Sequence, residues 1–190
     1  GGAGGRLTVG EVDVSSGSSV AAFSAGPVAS AAGGRPLGLL LNNAGVYGPK
    51  PCTLETVTAA AMAECFAVNC VGPVLVTQAA LDRGLVGEGT LVAHVSSKVG
   101  SMADNASGKG YAYRASKAAL NIAARSMAVD LAELGAECVL LHPGWVRTDM
   151  TEGRGLISAE ECAEGMLGVL DSGVPLNGRW YDYKREEVPW

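Results

Sequence analysis

Aromatic side chains are scarce in this sequence, at 5% of its 190 residues, and charged ones account for only 17%. With 27 glycines and 48% hydrophobic residues, the core must close through small side chains that let helices and sheet approach closely. Only two histidines occur, His94 and His142, each ending an apolar run (LVAHV, CVLLHP), and neither has partners at zinc spacing. A metal centre is therefore not expected. The five cysteines (Cys52, Cys65, Cys70, Cys138, Cys162) include no CxxC pair, so free thiols in a reducing compartment are expected rather than a disulfide framework. The net charge of −5 is spread over interspersed acids and bases with no basic stripe, which argues against nucleic acid or an anionic membrane as partner. No apolar stretch approaches the length of a membrane span, and the N-terminus lacks the charged-then-apolar layout of a signal peptide. The expected location is the cytoplasm.

The length suits one domain, 1–190, with a sizeable core, and no linker or internal repeat divides it. Beyond a Gly-rich start at Gly1–Gly5, Arg6–Val14 (RLTVGEVDV) reads as a short strand. Ser15–Ser19 can cap a helix reaching about Ala32, which Gly33–Pro36 would stop. Leu37–Leu41 is a continuous apolar run expected to be a parallel strand buried on both faces, followed by the turn Asn42-Asn43-Ala44-Gly45. Helical periodicity covers about Thr58–Leu81 and Tyr111–Leu134, with Gly135 closing the second. Gly89–Val95 and Glu137–Leu141 are further buried strands, and a last short one lies near Gly178–Tyr181. Ser158 with Glu161 three residues on forms a capping box at the start of another helix. Strands alternating with helices predict an α/β fold, a Rossmann-like doubly wound parallel sheet. Ligands of such sheets bind beyond the carboxyl ends of the strands. That edge collects Asp13, the Asn42–Gly45 turn, Ser96 and Ser97, and the Pro143–Thr148 loop.

The segment Tyr113-Arg114-Ala115-Ser116-Lys117 places a phenol and an ammonium at i and i+4, on one helix face. A free phenol has a pKa of roughly 10, and a nearby ammonium lowers it toward the range useful for acid–base work. Alone, YxxxK recurs by chance, with a core tyrosine and a surface lysine as its ordinary explanation. Here it stands in an ordered series with NNAG, Asn69, Ser96-Ser97 and Pro143-Gly144-Trp145-Val146-Arg147-Thr148, each after the appropriate strand or within the intervening helix.

On NNAG, Asn69, VSS, YRASK and PGWVRT, the chain resembles the classical short-chain dehydrogenase/reductases. The stretches SSKVGSMADNASGKGYAYRASKAALN, HPGWVRTDM and YDYKREEVPW are similar to the C-factor/sniffer branch of carbonyl reductases, and the resemblance runs from about Val12 to Trp190. It implies hydride transfer between a nicotinamide and a small carbonyl or alcohol substrate, with NADP(H) favoured and NAD(H) the other choice. It implies Tyr113 as the acid, Lys117 as its tuning partner and ribose ligand, Ser97 as the group orienting the carbonyl (Ser96 less favoured), and Asn69 in a water relay. For the cofactor it implies Asp13 and Val14 at the adenine, and Asn43, Ala44 and Gly45 along the adenosine side. Pro143, Gly144, Val146 and Thr148 would meet the nicotinamide, together with Tyr113 and Lys117. Trp145, Met150 and the loop Thr151–Leu156 would border the substrate. The helices over Thr58–Leu81 and Tyr111–Leu134 correspond to those that pair in homodimers of the family.

One family feature is absent from the sequence. No strand followed by T-G-x-x-x-G-x-G, the turn that cradles the pyrophosphate at a helix N-terminus, occurs in the chain. The expected fold is accordingly an N-terminally truncated one lacking the first two strands, with Leu39–Leu41 left as an unpaired edge. Low stability and weak cofactor binding are expected of it. A catalytically silent fold that serves binding or signalling is the alternative to an active reductase.

Overall fold

The computed structural model describes residues 7–190; the Gly1–Gly5 stretch and Arg6 lie outside the described residues. Four strands, β1 (Leu39–Asn42), β2 (Leu91–Val95), β3 (Glu137–His142) and β4 (Arg179–Asp182), form one sheet in the order 1-2-3-4, every pair parallel. The register aligns Asn42, His94, Leu140 and Trp180 in one row across all four strands. The helices are α1 (residues 17–32), α2 (Ala59–Leu81), α3 (Tyr111–Ala132) and α4 (Ala159–Leu170).

Alternation along the strands decides which helix meets which face. Val92, Cys138, Leu140 and Trp180 pack on Leu120, Ala124, Ala128 and Leu131 of α3. The intervening residues Ala93, Val139, Leu141 and Tyr181 pack on the other side with Val169 of α4. Helices thus cover one face of the sheet and, over β2 to β4, the other as well. The small residues of α3 are what allow its close seat on the sheet.

The helix boundaries follow the local chemistry read from the sequence. The Ser16 side chain accepts from the Ser19 backbone N–H at the start of α1, and Gly33 takes the left-handed conformation (φ 61°) that ends it. The capping box of α4 is formed: Ser158 N–H donates to Glu161 Oε2 at 2.7 Å, and Glu161 N–H donates to Ser158 Oγ at 3.1 Å. Within α2, Ala67–Val71 is a π-helical turn. Pro73 cannot supply the N–H that a regular helix would offer to the Asn69 carbonyl, which accounts for a local break in the α ladder there.

Three expectations are corrected. Residues 7–13 carry no regular structure and 14–15 form a turn, so the strand expected over Arg6–Val14 is not formed among the described residues. A single extended segment gains nothing from strand geometry without a neighbour for its N–H and C=O groups, and no strand of the sheet pairs with it. The β1 run is not buried on both faces: Leu40 packs on the α3 side, whereas Leu39 and Leu41, alternate residues on the opposite face, are 40% and 45% exposed because no described helix covers that face of β1. Finally, α2 is long and apolar enough to cross a membrane by length and composition. Its Ala61, Cys65, Asn69, Thr77 and Ala80 are nevertheless buried within the domain.

Both histidines are held neutral. His94 is fully buried in β2, and burial lowers its pKa to about 4. His142 is also pushed down to about 4 by burial, and its Nδ1 accepts the Lys98 backbone N–H at 3.3 Å, which requires an unprotonated nitrogen. Between pH 6.5 and 4 the unfolded chain therefore binds more protons, so this stabilisation is complete above pH 6.5 and is lost as pH falls toward 4. The urea midpoint should drop between pH 7.5 and 5, the unfolding free energy falling by at most roughly 1.4 kcal/mol per pH unit for each histidine. A midpoint that stays level over that range would refute the assignment.

Candidate active site

A cleft of about 970 Å³ opens at the carboxyl edge of the sheet, where the loops after β1, β2 and β3 converge. The parallel strand order makes this convergence unavoidable, since each strand releases its chain at the same edge. Ser97, Tyr113 and Lys117 all line it, together with Asn43, Ala44 and Gly45 from the first loop and Pro143, Gly144, Val146 and Thr148 from the third.

Tyr113 and Lys117 project from the first turns of α3. Lys117 is buried, and its Nζ donates to the Val95 carbonyl at the end of β2 at 2.8 Å. That carbonyl keeps a buried ammonium hydrogen-bonded, while burial still brings its pKa down to about 8. Gly100 makes room for it: a Cβ there would stand 2.9 Å from the Lys117 Cβ and 3.0 Å from the Ala118 backbone nitrogen.

The phenol behaves differently from the sequence expectation. Burial pushes Tyr113 up to about 12, opposed by a hydrogen bond to Ser97 and reinforced by Tyr47 and Cys65 nearby. Lys117 Nζ stands 5.9 Å from the Tyr113 ring centroid and is directed at Val95, so it does not pull the phenol below its ordinary value. Spacing on one helix face fixes proximity, but not the direction of the ammonium.

Asn69 is not a solvated helix residue. It is fully buried in the π-helical turn of α2, and its Oδ1 accepts the Val46 N–H at 2.8 Å. Its Nδ2 donates to the Val46 carbonyl at 2.8 Å and to Ser116 Oγ at 2.9 Å. One amide therefore joins α2 to the loop after β1 and to α3.

The two serines separate cleanly. Ser96 is buried and its Oγ donates to Asn121 Oδ1 at 2.6 Å, facing α3. Ser97, one residue on, lines the cleft together with Tyr113. Asp13 and Val14 are not among the residues lining the cleft. The Asp13 carboxylate accepts from the Ser15 N–H and hydroxyl, which hold its pKa below the ordinary carboxylate value, and Val14 packs against Gly72 of α2. Tyr47, Lys50, Cys162 and Met166 also line the cleft without having been singled out in the sequence. The only signal for Tyr47 is its position two residues after the NNAG turn; the α4 residues carry none, because which face of α4 meets the cleft is set by packing. Among the described residues no three His, Cys, Asp or Glu side chains converge as metal ligands.

A parallel sheet packed between helices, with a largely apolar cleft at its carboxyl edge that holds a few polar groups, has the architecture of a nucleotide-binding α/β domain. The chain belongs to the short-chain dehydrogenase family, whose model matches residues 1–156. It is 49% identical over 156 residues to C-signal of Myxococcus xanthus, covering 82% of this chain and 93% of that protein, which is therefore no longer than this one. A short-chain dehydrogenase/reductase structure from Burkholderia multivorans with bound NADP superposes with a TM-score of 0.85 at 33% identity, over 97% of this chain and 78% of that one. The carbonyl reductase Sniffer of D. melanogaster superposes with a TM-score of 0.87 at 29% identity, over 95% and 77%. The resemblance read from the motifs, including its sniffer-like branch, is borne out.

The geometry separates the serines experimentally. Ser96→Ala leaves the buried Asn121 Oδ1 without its donor and should cost about 1–3 kcal/mol of stability in urea unfolding. Ser97→Ala, at the cleft surface, should stay within about 0.5 kcal/mol of the parent. Equal losses in the two variants would contradict the assignment.

Proposed function

We propose that the chain is an NADP(H)-dependent carbonyl reductase in which Tyr113 is the general acid. The observation that carries this reading is the meeting of Tyr113, Ser97 and Lys117 in one cleft with the loops after β1 and β3. A nicotinamide cofactor, when bound, supplies or accepts the hydride. The cleft fits its nicotinamide half: Gly45, Tyr113 and Lys117 line it together with Pro143, Gly144, Val146 and Thr148. Val146 and Thr148 would hold the carboxamide, Pro143 and Gly144 the ring, Lys117 the ribose hydroxyls, and Asn43, Ala44 and Gly45 the adenosine side. Asp13 and Val14, outside the cleft, would meet the adenine only at the far end of an extended molecule. The choice of NADP(H) over NAD(H) is supported by the bound NADP of the Burkholderia multivorans structure.

A phenol held at about 12 is protonated at neutral pH, the state an acid needs to give its proton to a forming alkoxide. Ser97 donates to the carbonyl oxygen and orients it beside the phenol. Lys117, an ammonium at neutral pH with a pKa of about 8, offsets the negative charge left on Tyr113. Asn69 holds the loop after β1 in register and, with the Asn69 carbonyl that Pro73 cannot serve, is the start of a water relay from Lys117. The substrate is a small carbonyl or alcohol compound bordered by Trp145, Met150 and the following loop.

A homodimer through α2 and α3 belongs to the proposal, supported by exposed Val71, Val74, Ile122 and Val129 on these helices. So does a cytoplasmic location. A second reading, a signalling protein that does not turn over, is favoured by the name and comparable length of the C-signal relative.

Carbonyl-dependent oxidation of NADPH, measured with 4-nitrobenzaldehyde, should fall by about 100-fold or more in Tyr113→Phe. Equal turnover in the variant and the parent would overturn Tyr113 as the acid, and absence of turnover in both would favour the signalling reading.

A further inference from the structure

One residue that the proposed reaction does not use is stacked against its acid, and a second stands over that one. The Tyr47 ring lies on the Tyr113 ring, with centroids 4.7 Å apart and planes at 28°. The Lys50 ammonium stands over Tyr47, 4.9 Å from its centroid. Lys50 is itself anchored across the mouth of the cleft: its Nζ donates to the Met150 carbonyl at 2.9 Å and to Glu152 Oε1 at 3.1 Å. Arg154 holds Glu152 from the other side at 2.6 Å. Behind the stack, Gly48 has φ 78°, and a Cβ there would stand 3.0 Å from Cys65 Sγ. The loop after β1 is thus pressed onto α2 in a conformation that suits glycine, and this turns Tyr47 toward α3.

A tyrosine acid has to hold its hydroxyl where the substrate oxygen will be, and its terminal torsion is broad unless packing restrains it. Ser97 approaches the hydroxyl end of Tyr113, whereas the ring is restrained by Tyr47. Offset aromatic stacking contributes about 0.5–1.5 kcal/mol beyond area, and the cation over Tyr47 adds to it. The wall is also part of the phenol's environment. Tyr47 and Cys65 face Tyr113 from the loop and from α2, Ser97 from the turn after β2, and Lys117 from its own helix.

We propose that Tyr47 is a positioning residue of this site: its ring, braced by Lys50 across the cleft, holds Tyr113 in the orientation from which it acts as acid. The inference rests on the reading of Tyr113 as the acid. Ring and hydroxyl make separable contributions, the ring restraining Tyr113 and excluding water from its face. Tyr47→Phe keeps the ring; Tyr47→Leu keeps most of the volume but not the stack.

The test compares these two variants with the parent in 4-nitrobenzaldehyde reduction by NADPH over a pH series, with unfolding midpoints measured alongside. Tyr47→Phe should keep kcat close to the parent. Tyr47→Leu should lose about tenfold or more in kcat with little change in the KM for NADPH, and the ionisation of Tyr113 itself should move to lower pH. That shift follows because a phenol opened to water ionises closer to its ordinary value, below the position burial now gives it. A readout independent of turnover is the ultraviolet titration of tyrosinate, with Tyr113→Phe backgrounds subtracted. The Tyr113 ionisation should move to lower pH by about one unit in Tyr47→Leu and by clearly less in Tyr47→Phe, which loses the Tyr47 charge but keeps the ring that shields Tyr113 from water. If Tyr47→Leu matches Tyr47→Phe in this titration, the proposal fails, whether or not the chain turns over. Loss of activity in Tyr113→Phe with Tyr47→Leu as active as the parent would sink the positioning role alone, whereas an active Tyr113→Phe would sink the reading of the acid itself.

Discussion

The site depends on one buried amide. Asn69 uses both ends of its side chain on groups from two other elements, accepting from and donating to Val46 and donating to Ser116. A fully buried amide left unpaired costs about 1–3 kcal/mol for each orphaned group, so the loop after β1 and the start of α3 are locked to α2 together or not at all. Ser116 lies between Tyr113 and Lys117 in the same two helical turns, and its hydroxyl in turn donates to the Tyr113 carbonyl. The chain of hydrogen bonds that begins at Asn69 thereby fixes the helical backbone carrying both residues. Val46, at its other end, precedes Tyr47, which stacks on Tyr113. The break in α2 that lets Asn69 turn inward follows from Pro73, four residues on, and its missing N–H.

Around that lock the electrostatics divide between two neighbours with opposite responses to burial. Desolvation raises the phenol to about 12 and lowers the ammonium to about 8, so both shifts come from the same low-dielectric environment acting on opposite charge types. At neutral pH the pair is a neutral acid beside a cation. That combination suits proton donation to an oxygen gaining negative charge, because the product phenolate is formed next to the ammonium that stabilises it. The Val95 carbonyl keeps Lys117 from leaving the site while it is buried.

Much of this was legible in the sequence, for identifiable reasons. The strands and helices follow apolar runs, capping residues and glycine stops, and parallel order then brings NNAG, Ser97, YRASK and the PGWVRT loop to one edge without further information. What the sequence did not disclose depends on neighbours. The extended reading of Arg6–Val14 rested on local pattern, and a strand needs a partner. The direction of the Lys117 ammonium depends on where β2 ends relative to α3, which i and i+4 spacing does not encode. Tyr47 stands in an aperiodic loop where a tyrosine has no patterned partner, so its stacking on Tyr113 becomes visible only in three dimensions.

The cleft is unevenly furnished along its length, and this bears on how binding and chemistry are divided. Everything that would touch the reacting end (Tyr113, Ser97, Lys117 and the loop after β3) is assembled on strand ends and one long helix, elements held by the two halves of the core. At the other end Asp13 is committed to Ser15 and lies off the cleft, and no described residue forms a glycine-rich phosphate cradle. Interactions at the reacting centre raise turnover only if they strengthen in the transition state, whereas those along the distant part of a cofactor chiefly set its affinity. A site built in this way keeps its differential interactions while holding few of the uniform ones. In such an arrangement the residues at the reacting end and those along a bound cofactor would govern different quantities, turnover and affinity.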